Sequence, residues 1–508
     1  MKNFNIRVAF FLAVSFVLAS LAFSALPANV VVWEVRTVGS DTNGGAFATG
    51  ATGTDMSQFN NKNSSGCSSC QSSTVNLSAT DLVATGVATV TSVSASFSSA
   101  IVGNIVYITG TGLTTGWYEA VTFTDAATIV LDRSPGTGTG GTINIGGALA
   151  TLAQMNLNMA LSTANGAWVK ATATYSTSAT IVLASTATNT GPYFINGYTS
   201  TRGDNGKPTI LALSGLGGGN NFVVKYGTPE GLVFSNFTVD CGNFTFTRGL
   251  DFNTSGSAKN VIVQNCADYG FAFDANSVLC SECTTINTPN NTNASTFLDF
   301  AGNNQQLTCV NCQALGSTED GAIAFGNMCQ GTYINTILAN FSGVATTAWT
   351  CVTEEAQLVI LNADIYGFTG DAFKFQLSNT VDQRPLLIRN VVLSSIGGFC
   401  FNNTGSRTLP SSNQTTDHNF CNPTGGSGFY NNWGTGQGDV TLSANPFTNA
   451  TGNNFALNST AGGGAAVKAA GFPGVLPNGG GTGFIDGGAL QSAGGGGGGG
   501  GTLSAVFP

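Results

Sequence analysis

The sequence predicts an all-β chain whose middle is a coil of stacked parallel strands. Three observations predict it. Of 508 residues only 8% are charged (16 Lys or Arg, 25 Asp or Glu), while Gly numbers 69 and Phe 34. One asparagine recurs through the middle of the chain at a spacing of a few short strands. A second column, of alternating apolar residues, runs beside it. The scarcity of Glu and Lys excludes a mainly helical protein, whose exposed faces they would fill. A net charge of -9 excludes nucleic-acid binding by phosphate neutralisation. With 42% apolar residues the chain is not an acidic disordered one.

The asparagine column aligns VFSNFTVD, VIVQNCADYG, LCSECTT, TCVNCQA, TYINTILA, VILNADIYG and LIRNVVLSS on Asn236, Asn265, Glu282, Asn311, Asn335, Asn362 and Asn390. The steps are 29, 17, 29, 24, 27 and 28 residues. The second column aligns Phe252, Phe273, Phe300, Phe325, Cys351, Phe375 and Phe401, each two residues after another apolar residue. That alternation is the mark of a strand with one buried face. A turn of this kind cannot bury its apolar face alone and stacks on its neighbours. Asparagine suits the bends, because it tolerates the left-handed backbone region. Its amide can also bond to the next one along the stack. Like charges repeated in a column would repel, so uncharged polar residues on the outside account for the low charge.

On these residues the chain resembles the right-handed parallel β-helix proteins of the pectate-lyase-like superfamily, whose turns commonly carry an asparagine ladder. The resemblance implies a helix covering the open N-terminal end, and residues 148–163 (ALATLAQMNLNMALST) supply it. The β-helix itself is expected over 164–490, about 12 turns of roughly 25 residues, with NPFTNATGNNFALNSTAGGGAAVKAAGFPG as closing turns. The alternating segments of residues 29–147 predict a small β-sandwich or barrel module. That block is loosely similar to N-terminal regions of uncharacterised phage and metagenomic β-helix proteins.

The two ends carry other signals. Residues 1–28 read as a secretory signal, with Lys2 and Arg7 before a short apolar stretch. A secreted or cell-surface chain with no transmembrane segment after processing follows. Residues 491–508 form a glycine-rich tail. The strand-prone ANVVVWEV offers Val30, Val31, Val32, Trp33 and Val35 as an assembly strand that joins the sheet of a neighbouring subunit.

Export permits disulfides. The CxxC pairs Cys67/Cys70, Cys280/Cys283 and Cys309/Cys312 are the disulfide candidates. In the repeat Cys280 stacks with Cys309, and Cys266 with Cys283 and Cys312, either as inter-turn disulfides or as buried thiols. A zinc site is the less favoured alternative, because side chains should fill this interior. No catalytic or metal-binding set is assigned and no cofactor is implied. His418 is a lone loop histidine. The acids Asp240, Asp251, Asp268, Asp299, Asp320, Asp364 and Asp371, with Arg389 or Lys374 as base, are the best lyase-like grouping, but each stands alone in the sequence. The sequence therefore points to a secreted, non-catalytic structural rod: a surface layer, fibre or adhesive appendage that self-associates. The alternative is a polysaccharide-active or glycan-binding β-helix, pectate-lyase-like or tailspike-like; if an enzyme, it would be a polysaccharide lyase or glycoside hydrolase.

Overall fold

The computed structural model describes most of residues 31–48 and 78–472, together with 486–490. The signal-like segment, Val30, Cys67, Cys70 and the glycine tail lie outside the described residues. The chain is a right-handed parallel β-helix preceded by a small closed barrel. Among the described residues one sheet stacks ten parallel strands, from Ile181–Leu183 to Tyr430–Asn431. This is fewer turns than the twelve expected from length alone. Part of the stretch assigned to turns serves instead as covering structure: the hairpin of Phe447–Asn449 and Asn454–Leu457, and the short helix Gly464–Val467.

Among the described residues, eight successive turns bend at a matching residue in the left-handed region. These are Asn236, Asn260, Glu282, Asn311, Asn335, Asn362, Asn390 and His418, all with φ between 53° and 60°. Strand register places them in one stack, since Ser235 lies beside Lys259, Lys259 beside Ser281, and Arg389 beside Asp417. The 29- and 17-residue steps of the sequence alignment therefore become 24 and 22, with Asn260 rather than Asn265 in the column. Asn265 (φ 56°) sits at the next corner of its own turn, where its amide donates to both oxygens of Asp240 at 3.0 Å.

Side-chain amides link the bends. Asn335 donates to Asn311 (3.1 Å), Asn362 to Asn335 (3.3 Å) and Asn390 to Asn362 (3.1 Å). Earlier in the coil Asn260 donates to Asn236 (2.6 Å), which donates to Asn196 (2.7 Å). Glu282 separates the two runs and has no amide to donate. Each residue before or after a bend then falls alternately inside or outside the coil. Phe234, Phe237, Ile360, Ala363 and Ile365 point into one continuous core.

The apolar columns of the ten-stranded sheet differ in register from the sequence alignment. Phe252 lies beside Phe273, but Phe273 lies beside Asp299, and Phe375 beside Asn403. Phe300 falls outside the described residues. Phe401 stacks under Phe373, ring centroids 5.0 Å apart, and Phe373 under Trp349 at 5.4 Å. A two-residue slip keeps the same face buried, which is why an alternating pattern cannot fix register at that grain.

The barrel joins six antiparallel strands between Ser78 and Ile145 around Leu82, Val90, Val106, Ile108, Tyr118 and Ile143. The expected helix is shorter than its apolar pattern, Leu152–Met159. Thr151 caps it by accepting from the Gln154 amide at 3.0 Å, and Asp41 accepts from the Ala150 and Thr151 amides. Leu152 and Met155 bury themselves in the coil core, while Leu157 is left exposed.

Two substitutions test the ladder. Asn362→Ala removes two amide bonds and the side chain that tolerates the bend, and should lower unfolding stability by about 2–4 kcal/mol. Glu282→Asn restores the missing link and should raise stability by about 1 kcal/mol. Denaturant unfolding of the two variants beside the parent checks both signs.

Candidate functional site

The outward face of the coil, just before the bends, carries the described charge clusters. One column starts with Glu34, Trp168 and Asn196 and ends with Leu361, Arg389 and Asp417. Its two ends hold separate constellations.

The first is built on the entry strand Val31–Val35. Trp33 and Val35 face the core, so Glu34 faces out. It is nevertheless fully buried, beneath Arg36, Arg202 and Tyr198. Arg36 Nε donates to Glu34 Oε1 at 2.9 Å, and Arg202 donates to Oε2 through two nitrogens at 2.7 and 3.1 Å. The Tyr198 hydroxyl also donates to Glu34. Burial lifts the Glu34 carboxyl above its usual range against the opposing pull of Arg202 and Arg36. Burial and then the Glu34 charge push the Tyr198 hydroxyl up, and burial with the Arg36 charge pulls Lys170 down. Every oxygen of Glu34 is engaged, so this carboxylate anchors its neighbours.

Beside it lies an aromatic surface. Trp168 meets Phe194 edge to face at 5.7 Å and Tyr198 at 6.2 Å. Trp168 and Phe194 are half-buried. The Phe194 ring crosses the neighbouring turn at Gly166, where a Cβ would stand 1.8 Å from it. Glycine at 166 thus lets the ring lie along the face.

The second constellation closes the far end. Arg389 grips Asp417 with Nε at 2.5 Å and Nη2 at 2.7 Å, and its guanidinium lies 3.6 Å from the centre of the Phe472 ring. His418, expected in a solvated loop, occupies the last bend. Its Nδ1 is 3.6 Å from Asp417 and its ring meets Phe472 edge on. The Phe472 amide donates to Asn390 Oδ1 at 2.6 Å, closing the ladder. Asp439 accepts from Tyr430, Asn419 and Gly436.

Among the described residues the acids of the lyase-like grouping do not converge. Asp240 holds Asn265 and Gln264; Asp371 holds the Phe399 amide and Asn402; Asp251 lies on the other sheet, 3.5 Å from Lys225. Asp364 is buried on the outside of the coil. Arg389 is committed to Asp417, and Lys374 lies on the ten-stranded sheet beside Asn402. Asp268 and Asp320 lie outside the described residues, and Asp299 is described only by its strand register. Among the described residues no three metal-binding side chains converge, and no helix is long and apolar enough to cross a membrane.

Of the two readings left open for four of the disulfide candidates, the structure has the buried thiols and not the bridges. Cys280, Cys283, Cys309 and Cys312 are buried thiols. Cys280 does stack on Cys309, but residues in register on parallel strands project their Cβ atoms side by side, unfavourably for a bridge. The Cys283 thiol donates to the Ala258 carbonyl (3.5 Å) and Cys312 to the Cys280 carbonyl (3.7 Å). Burial pushes the Cys312 thiol up to about 11 and the other three well up. The described disulfides are Cys241–Cys266 and Cys400–Cys421, with Cα atoms 4.7 and 6.5 Å apart.

The strand offered for assembly is paired within the chain. Val31–Val35 pairs in parallel with Asn165–Lys170 on one edge and antiparallel with Ala46–Ala48 on the other. Both edges are used within the chain, and Trp33 and Val35 are core residues.

No family model and no curated protein matches the chain. Among solved structures it is similar to the catalytic unit of a thermostable GH87 α-1,3-glucanase from Streptomyces thermodiastaticus, at 12% identity and TM-score 0.32, over 73% of this chain and 89% of that one. A GH87 α-1,3-glucanase catalytic domain in complex with nigerose gives 11% identity and TM-score 0.34, over 72% and 89%. The tailspike protein of Pseudomonas phage LKA1 gives 13% identity and TM-score 0.27, over 73% and 61%. Identities this low transfer no activity.

Glu34→Ala should destabilise the protein by about 3–5 kcal/mol, because two guanidiniums lose their buried partner; thermal unfolding beside Glu34→Gln, with a smaller loss, checks it. Cys280, Cys283, Cys309 and Cys312 should stay unalkylated in the native protein and react after unfolding, as read by peptide mass mapping.

Proposed function

We propose that the chain is a secreted β-helix that binds glycans on the flank of its first turns. The aromatic surface of Trp168 and Phe194, set beside the Lys170–Arg202–Tyr198 cluster, carries this reading. A sugar ring presents a C–H face that packs on aromatic carbon, while its hydroxyls take hydrogen bonds from polar groups at the rim. Trp168 and Phe194 offer the first, and the neighbouring cations suit hydroxyls or carboxylates of an acidic sugar. Glu34 and Asp417, one at each end of the column, are already held by guanidinium donors, which suits recognition more than proton transfer. A rod assembled by exchange of Val31–Val35 has less support, since that strand is paired on both edges.

Binding to a panel of neutral and acidic oligosaccharides tests the proposal. Trp168→Ala should weaken the best ligand about tenfold, near 1.4 kcal/mol, without changing the unfolding midpoint by much. Failure of the parent protein to retain any glycan, or equal binding by the variant, would overturn it.

A further inference from the structure

The outside of the coil after the bends carries a second apolar core. Leu315, Ile337, Ala339, Val392 and Phe420 are covered there by chain that returns from the C-terminal side, including Phe447, Val467 and Ala489. In the middle of this stripe stands Asp364. Strand register sets it between Ile337 and Val392, and it is 1% exposed. The segment Asp486–Leu490 lies over it. Gly488 has φ +90°, and a Cβ on that residue would fall 2.1 Å from Asp364 Oδ1. The Gly488 amide donates to the Asn390 carbonyl at 2.7 Å, fixing the segment on the neighbouring turn.

Neither Asp364 oxygen meets a hydrogen bond of normal geometry, although the Ala489 and Leu490 amides lean toward the carboxyl. The strands packed around it, Gln330–Ala339, Gln357–Tyr366, Val392–Ile396 and Phe420–Pro423, carry no other charged residue. In the covering segment Asp486 is the one other ionisable group, and it is acidic too. A carboxylate in such a place must either take a proton or lose its cover.

We propose that Asp364 is a proton-operated latch holding Asp486–Leu490 on the outer face of the coil. Protonated, it is a neutral group tolerated in an apolar contact. Ionised, it draws water and loosens the segment. Burial raises its pKa well above the ordinary Asp range, so the sign is fixed. Closure is fully stable below the pKa of an exposed Asp, and weakens as pH rises toward the raised value of the closed form. The proposal is independent of glycan binding.

Hydrogen–deuterium exchange on the full chain tests it between about pH 5 and pH 9, after correction for intrinsic exchange rates. Protection of the peptide covering Asp486–Leu490 should fall about tenfold per pH unit across part of this window, relative to a reference peptide from Thr347–Cys351. In Asp364→Asn, which is neutral throughout, protection should not change with pH. Parallel pH profiles for the two proteins, or a flat profile in the parent, would overturn the latch. The parent's profile alone decides the second outcome if the variant does not fold.

Discussion

One backbone conformation governs this structure: a non-glycine residue held near φ +55° once per turn. That bend costs free energy for an L-residue. Asparagine lowers the cost and spends its side chain on a bond to the next bend. Everything else takes its position from the stack so formed. Residues two before and one after the bend enter the core, and those immediately before or two after it face out. The long outward column, the apolar stripe under the C-terminal segment and the thiol stacks are all consequences of counting from that point.

The fold was legible because this constraint writes itself into the sequence. The bend accepts few residue types, and six of the eight bends carry asparagine. Register was only partly legible. Asn260 and Asn265 are five residues apart and both have left-handed backbones, so either satisfies the composition of a bend. Only the pairing of Lys259 with Ser235 and with Ser281 decides between them. The aromatic columns failed at the same grain, because a two-residue slip preserves the buried face. His418 was read as a loop residue and not as a bend, because one histidine among asparagines has no repeat to support it.

The candidate site was scarcely legible at all. Glu34 meets Tyr198 and Arg202 across 164 and 168 residues, and no spacing in the sequence announces that meeting. ANVVVWEV looked like a free strand, since its apolar character says that it pairs but not with what. The repeat placed Cys280, Cys283, Cys309 and Cys312 in the right columns but misplaced Cys266, which follows Asn265 and is bonded to Cys241. Their chemistry turned on the direction of Cβ vectors, which a spacing does not carry. Asp364 was visible as an acid in an apolar run, but its cover comes from more than a hundred residues further on.

The ladder also has a polarity. Asn335, Asn362 and Asn390 each donate to the amide of the earlier turn, and Asn311, Asn335 and Asn362 each accept from the later one. Such a run has two unlike ends, and each needs its own terminator: an acceptor at the start and a donor at the finish. Phe472 supplies the donor. The ladder therefore stops at Asn390, and the coil goes on through the bend at His418 without an amide link. A turn inserted between two asparagines would meet both needs at once. Growth of the ladder by duplication is favoured from within, and the ladder's length, though not the coil's, is set where the last amide is claimed.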